Sequence, residues 1–546
     1  MKLKLLAALL ALSAAPAAAQ DRRPAPESRP RLVIAISVDQ FSADLFAEYR
    51  PLFSGGLRRL SQGMAFPAGY QSHAATETCP GHSTILTGAR PGRTGIIANN
   101  WHDQRVARAD KNVYCSEDER VPGSTGDNYT VSAWHLRVPT LGDLMRRADL
   151  RSRVVAVAGK DRAAVMMGGH NPNQRWFRRG RGFGTDIDVP PSARVEAAGR
   201  AVAEALGQAR EPMPLPSVCE TRDRAVPVGT PGRTVGAGRF ARAIDDNNML
   251  IASPEYDRIV MRLAEGLRDD LRLGQGPATD LLIIGLSATD YVGHRFGTRG
   301  SEMCIQLLAL DRLLGEFFQD LDRQGLDYVV VLTADHGGLD LPERAVQMAG
   351  GASARVDPAL NVSRMSEALG RRLGLRNPPL LGDGAFGDMW VDRNLSPRVR
   401  ARVLAEAVRA YRAHPQVHTV FTRAEIAATP MPTGTPDSWT LLQRARASFD
   451  TERSGDFYVV LKPRITPIAN AGSGAVATHG SIWDYDRRVP ILFWRRGMTG
   501  FEQPLAVETV DIMPTLAALI GLPLAPGSVD GRCLDLIQGP ETSCPN

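Results

Sequence analysis

Four short apolar runs in this sequence each end in residues able to bind a metal or a phosphate. Leu32–Val38 runs into Asp39, and Val154–Ala158 into Gly159-Lys160-Asp161-Arg162. Leu281–Leu286 leads through Ser287-Ala288-Thr289 to Asp290 and then His294, and Tyr328–Leu332 ends in Thr333-Ala334-Asp335-His336-Gly337-Gly338. Taken singly these signals are weak, because an Asp after a strand is more often a turn former or helix cap and a lone His more often structural. Their repetition counts: a metal site needs several oxygen and nitrogen donors converging. The segment Thr76-Glu77-Thr78-Cys79-Pro80-Gly81-His82-Ser83-Thr84 adds a candidate nucleophile. Pro80 suits the first turn of a helix, which puts Thr78 at or beside its N-cap, where free N–H groups and the helix dipole favour an anion such as phosphate. Judged by its own neighbours, Thr78 is a helix cap. Cys79 is a rival nucleophile that an oxidising compartment would block.

These groups need a scaffold that brings distant segments to one place. The apolar runs, together with Val489–Trp494, are continuous rather than alternating, as expected of a parallel sheet covered on both faces. Between them lie helical patterns. Glu302 to about Arg323 carries Leu307, Leu310, Leu314, Phe317 and Leu321 on one face, and another helix follows Asp511, with Pro514 in its first turn and Gly521 as its stop. Alternation of strand and helix predicts an α/β fold with an open, mostly parallel sheet, in which ligands bind beyond the carboxyl ends of the strands. Four strands would then deliver Asp, His, Lys and Arg to one edge. Residues of about 165–250, rich in Arg, Pro and Gly, and of about 340–470, with a helical run from Pro397 to His414 and a Pro/Thr-rich loop at 429–436, break the alternation. Both read as insertions that cap or flank the sheet.

The chain begins Met1-Lys2-Leu3-Lys4, continues with an apolar run to Leu12 and reaches Ala17-Ala18-Ala19 before Gln20. This pattern predicts a signal peptide over residues 1–19, too short to be a permanent membrane span, and hence a periplasmic or secreted protein without a membrane anchor. Lys+Arg number 65 against 59 Asp+Glu, a net charge of +6 that falls to +4 without Lys2 and Lys4. The excess is scattered and gives no nucleic-acid-binding signature. Beyond the leader the only lysines are Lys111, Lys160 and Lys462, so retention of an amine at Lys160 singles that position out. Six cysteines in an exported chain suggest disulfides, and no CxxC points to structural zinc. Cys533 and Cys544 share a short C-terminal loop and are expected to pair. The other four are assigned to Cys79–Cys115 and Cys219–Cys304, although no sequence signal fixes that connectivity among the fifteen available.

Taken in order, Val38-Asp39, Thr78-x-Pro80-x-His82, Asn99-Asn100-Trp101, Gly159-Lys160-Asp161-Arg162, Asp290-x-x-x-His294, Asp335-His336-Gly337, Thr478-His479-Gly480-Ser481, Asp484 to Pro490 and Val510 to Leu516 resemble the alkaline phosphatase superfamily. Within it the chain is similar to the PhoK/PafA branch of bacterial periplasmic phosphatases with a threonine nucleophile. The resemblance spans nearly all of residues 20–546. It implies an alkaline-phosphatase-like three-layer sandwich and two Zn2+ per subunit, one held by Asp290, His294 and His479, the other by Asp39, Asp335, His336 and the Thr78 oxygen. It further implies that Thr78 is the nucleophile, that Asn99, Lys160 and Arg162 contact the phosphate oxygens, and that the substrates are small-molecule phosphate monoesters. Asn99 is preferred to Asn100 only by alignment to an Asn-x-Trp pattern.

The main alternative is a phosphodiesterase or nucleotide pyrophosphatase on the same fold, which lacks the Lys-x-Arg pair. A monoester dianion carries more non-bridging charge than a diester, so Lys160 and Arg162 favour the monoester. A sulfatase would need a Cys/Ser-x-Pro-x-Arg pattern, and Cys79-Pro80-Gly81-His82-Ser83 does not supply it. A binding protein with degenerate metal ligands would lack some of the set, and none is missing. Glu117-Asp118-Glu119 does not by itself make a case for Ca2+. His73, His82, His102, His135, His170, His414 and His418 receive no catalytic role, and the sequence leaves monomer or dimer and the natural substrate undecided.

Overall fold

The computed structural model describes residues 29–349, 353–472, 474–537 and 542–545; the leader expected at 1–19 lies outside them. Among these residues, ten strands form the central sheet. Its order is Phe501–Glu502, Met64–Tyr70, Arg488–Arg495, Tyr328–Thr333, Leu32–Val38, Asp280–Leu286, Val154–Ala158, Gln174–Arg179 and Gly182–Gly184, with Val507–Glu508 also on Met64–Tyr70. Leu32–Val38 pairs in parallel with both neighbours, and the parallel pairing continues through Val154–Ala158 to Gln174–Arg179. Arg488–Arg495, expected above to be parallel, runs antiparallel to both its neighbours. Burial on both faces, which comes from the helical layers, makes its sequence continuous whatever its direction. Met64–Tyr70 had no sequence signal because Pro67 interrupts it, and the ladder opposite is irregular between Val489 and Ile491.

The sheet separates two apolar layers. Leu32, Ile34 and Ile36 face one core with Leu307, Leu310, Leu314, Phe317 and Leu321 of the helix Ser301–Arg323. Val33 and Ala35 face the other, which holds Cys79 and Ile85 of the Thr78 helix, Ala163 to Met167, and Met513 and Leu516. Two helical layers around a mainly parallel sheet give the expected three-layer α/β architecture. Of the stretch 165–250, Gln174–Arg179 and Gly182–Gly184 extend the central sheet and Ala193–Leu206 packs on its face. The stretch 340–470 builds a separate four-stranded antiparallel sheet, Leu380–Leu381, Gly387–Val391, Phe457–Leu461 and Val417–Thr422, with its own core against Val362–Leu373 and Pro397–Arg412. Disulfides join Cys79–Cys115, Cys219–Cys304 and Cys533–Cys544. Among the described residues, no helix is long and apolar enough to cross a membrane.

Register levels the functional edge. Ser37 pairs with Thr333 and with Gly285, and Gly285 with Ala158. Two residues further along, these four strands reach Asp39, Asp335, Ser287 and Lys160. Against this edge lies the helix Thr78–Ile85, which crosses the Asp335 turn so closely that a Cβ on Gly81 would stand 2.0 Å from the Asp335 carbonyl oxygen. Gly81→Ala is therefore expected to force helix and strand end apart, costing on the order of 2 kcal/mol. Urea denaturation checks this, and an unchanged midpoint would show that the contact yields without cost.

Candidate active site

Six donors form two adjoining groups: Asp290, His294 and His479, and Asp39, Asp335 and His336. Within each group the nearest donor atoms all lie within 4.8 Å of one another. Asp290 and His294 share a face of the helix Ala288–Phe296 at i and i+4, with His294 Nε2 3.2 Å from Asp290 Oδ1. His479 Nε2 is 3.4 Å from the same oxygen. In the other group His336 Nε2 stands 3.3 Å from both Asp39 Oδ1 and Asp335 Oδ2. The groups meet where the His336 and His479 rings stack at 3.5 Å. Lys160 joins them too, its Nζ 2.6 Å from Asp39 Oδ2 and 2.5 Å from Asp290 Oδ2.

The histidines are oriented from behind. Nδ1 of His294 donates to Ala477 O, that of His479 to Thr76 O and that of His336 to Gly337 O, each at 2.9 Å. In a neutral imidazole the lone pair is then on Nε2, so each lone pair faces a carboxylate oxygen, two acceptors that favour a cation between them. Among the described residues, His336 Nε2 and Asp39 Oδ1 are buried without a hydrogen-bond partner. The donor set, nitrogen and oxygen only, three from each group, fits a catalytic divalent metal.

The charges point the same way. Three carboxylates, each at most 1 % exposed, face a single ammonium. Burial pushes Asp39 up, reinforced by Asp290 and Asp335, against the pull of Lys160. Burial would also raise Asp290, but His294 and Lys160 outweigh it and hold that carboxyl well below its usual range. Asp335 is likewise lowered, against its burial, by His336 and His82. Burial opposes protonation of His336, yet Asp335 and Asp39 raise it to about 9, while burial and the charge on His336 push His479 down to about 3.

Thr78 begins its helix, and Glu77, in extended backbone, is the cap residue. Its neighbours reach both metal-binding groups. Thr76 O holds His479, while His82, one turn beyond Thr78, sets Nδ1 2.8 Å from Thr78 O and 3.1 Å from Asp335 Oδ2. Asn99 Oδ1 accepts from Cys79 N at 2.8 Å, and Asn99 N donates to Glu77 at 2.6 Å, so this asparagine is anchored on the start of the Thr78 helix. Asn100 instead pairs with Tyr114 in a small hairpin. Lys160 caps the helix Asp161–Gly168, and Arg162 lies in its first turn with Nη1 3.3 Å from the Tyr114 hydroxyl. The Cys79–Cys115 disulfide removes Cys79 as a nucleophile.

Two contributors escaped sequence reasoning. Gln40, in left-handed backbone, donates through its N–H to Asp335 Oδ1 at 3.1 Å and through Nε2 to Asp290 Oδ1 at 2.9 Å, tying the groups together. Its signal was indirect: Gly293 and Gly338 have no side chain where Gln40 passes. His82 was assigned no role, although its i+4 spacing from Thr78 put both on one helix face.

A model of the family described as Type I phosphodiesterase / nucleotide pyrophosphatase matches residues 33–482. The chain belongs to this family. It is 54% identical to the alkaline phosphatase PhoK of Sphingomonas sp over 98% of both chains. Identity to the alkaline phosphatase PhoD of Zymomonas mobilis is 49%, over 97% of this chain and 92% of that one. The crystal structure of the alkaline phosphatase PafA superposes with a TM-score of 0.81 at 24% identity, covering 94% of this chain and 100% of that one, and shows the shared fold. Within the family the chain groups with the alkaline phosphatases, which makes it an enzyme of the phosphoric monoester hydrolase class.

The raised His336 and His294 and the raised Asp39 carry one sign. All three bind protons more tightly folded than unfolded, so their contribution is lost as pH rises. The lowered Asp290, Asp335 and His479 carry the opposite sign, and their contribution grows with pH only below their ordinary values. For His336 the loss falls between 6.5 and about 9. Thermal melts of chelator-treated protein should show a falling midpoint across that window, and a flat or rising midpoint would contradict these charge relations.

Proposed function

We propose that the protein is an exported two-zinc alkaline phosphatase that hydrolyses phosphate monoesters through a phosphothreonine on Thr78. The observation that carries the reading is the convergence of both Asp/His groups with the start of the Thr78 helix and with Lys160 and Arg162 at one sheet edge. Asp39, Asp335 and His336, with the Thr78 hydroxyl, would hold one zinc, and Asp290, His294 and His479 the other. When bound, paired zinc ions supply Lewis acidity that stabilises negative charge on the attacking and leaving oxygens.

The chain's own groups do the rest. The Thr78 oxygen attacks phosphorus and forms a P–O bond as the ester P–O bond breaks; its proton passes to solvent, and the leaving oxygen takes one up and departs as the alcohol. Water then attacks the phosphothreonine, restoring the hydroxyl and releasing inorganic phosphate. The Asn99 amide, with its oxygen fixed on Cys79 N, and the cations of Lys160 and Arg162 bind the non-bridging oxygens. A PafA variant altered at one threonine, one asparagine, one lysine and one arginine superposes with a TM-score of 0.77; Thr78, Asn99, Lys160 and Arg162 supply the same four residue types in the same order. Export is supported by the leader-like start and by three disulfides, which suit an oxidising compartment. Residues 20–546 would form one catalytic domain, with the stretches near 165–250 and 340–470 carrying its inserted caps.

Thr78→Ala, loaded with zinc, is expected to lose turnover of an aryl phosphate by at least about a thousandfold and to show no phosphorylated peptide after acid quench. Turnover near that of the wild type would sink the phosphothreonine reading. The family description favours one second reading, a diesterase. The monoester reading expects the aryl phosphate to be the better substrate; a bis-aryl diester preferred by orders of magnitude would establish the other.

A further inference from the structure

A cavity of about 440 Å³ is lined by Lys160 and Arg162 and also by Arg178 and Arg179, where the strand Gln174–Arg179 ends. Tyr129 and Tyr291 also line it. Lys160 stands between two carboxylates, and Arg162, already placed at the phosphate, bonds the Tyr114 hydroxyl. Arg178 is half-buried, yet its Nε donates to Gly180 O and its Nη2 to Asn247 Oδ1, both at 2.8 Å and both neutral acceptors. Its Nη1 is buried with no hydrogen-bond partner among the described residues. Burial accordingly lowers its pKa.

A guanidinium partly withdrawn from water and held by two neutral acceptors and the Tyr256 ring, whose centre is 5.9 Å away, lacks an ionic counter-charge, and an anion supplies one. The carboxylates of the lining do not. Arg178 makes no ion pair with Asp161 or Asp127 among the described residues; Asp161 accepts through Oδ1 from the Tyr114 hydroxyl and the Arg162 N–H, and its Oδ2 is buried without a partner. The same cavity is thus lined by cations from two separate elements, the start of the helix Asp161–Gly168 and the end of the strand Gln174–Arg179.

We propose that this cavity is a second anion subsite, in which Arg178 binds a phosphate on the alcohol portion of the substrate while Lys160 and Arg162 hold the phosphate to be removed. The substrate class singled out is the phosphate monoester of an alcohol that carries a second phosphate. This inference rests on the Thr78 reading of the neighbouring site.

The test uses a matched pair, propane-1,3-diol bisphosphate and 3-hydroxypropyl phosphate, on zinc-loaded wild type and Arg178→Gln, with phenyl phosphate as the reference. Wild type should release the first phosphate from the bisphosphate with kcat/KM about tenfold or more above the monophosphate, mainly through KM. Arg178→Gln should bring that ratio close to the statistical factor of about two. Equal ratios in the two proteins, or no bisphosphate preference in the wild type, would overturn the subsite while leaving phenyl phosphate turnover to vouch for the fold and for Thr78. Absence of phenyl phosphate turnover in the wild type would instead strike at the phosphatase mechanism.

Discussion

The structure depends on the burial of three carboxylates, Asp39, Asp290 and Asp335, at one edge of one sheet. Taking even one such group out of water costs several kcal/mol unless charge and hydrogen bonds answer it. Here the answer from the chain is incomplete. Lys160 contacts two of them, Gln40 ties two together, and the histidines present lone pairs where a cation would complete the balance. The fold holds a region of unfinished charge, and the chemistry that suits such a region is metal-assisted displacement at phosphorus.

Everything around the carboxylates serves to keep them together. Parallel pairing levels the four strand ends, so that loops far apart in sequence arrive side by side. The Thr78 helix is pressed onto the Asp335 turn by the absence of a side chain at Gly81, and its start is tied by the Cys79–Cys115 disulfide to the hairpin that follows Asn99. Backbone carbonyls at Thr76, Gly337 and Ala477 fix the imidazoles in one orientation. The result is a frame that sets the start of the Thr78 helix and Lys160 beside both Asp/His groups.

Much of this was legible in the sequence because central strands must be apolar throughout, and an Asp, Lys or His that ends such a run stands out. Leu32–Val38 and Val154–Ala158 were readable to the residue, and the helix over 301–323 announced itself through its apolar face. His479 and Asn99 were reached only by resemblance, since each follows no apolar run. Met64–Tyr70 was hidden by its proline, and the direction of Arg488–Arg495 by burial that is the same for either pairing. Gln40 acts through contacts that exist only once the chain is folded, whereas His82 stood in the Thr78-x-Pro80-x-His82 pattern at i+4 from Thr78 but was given no catalytic role. Arg178 was one arginine among many until the fold left its guanidinium without a counter-charge.

The central claim, that the buried carboxylates and histidines are two metal sites sharing one nucleophile, is tested most directly by anomalous diffraction at the zinc edge from crystals of the purified protein. The account predicts two strong peaks per chain, one among Asp39, Asp335 and His336 beside Thr78 and one among Asp290, His294 and His479. A single peak, or metal bound away from these six side chains, would contradict it.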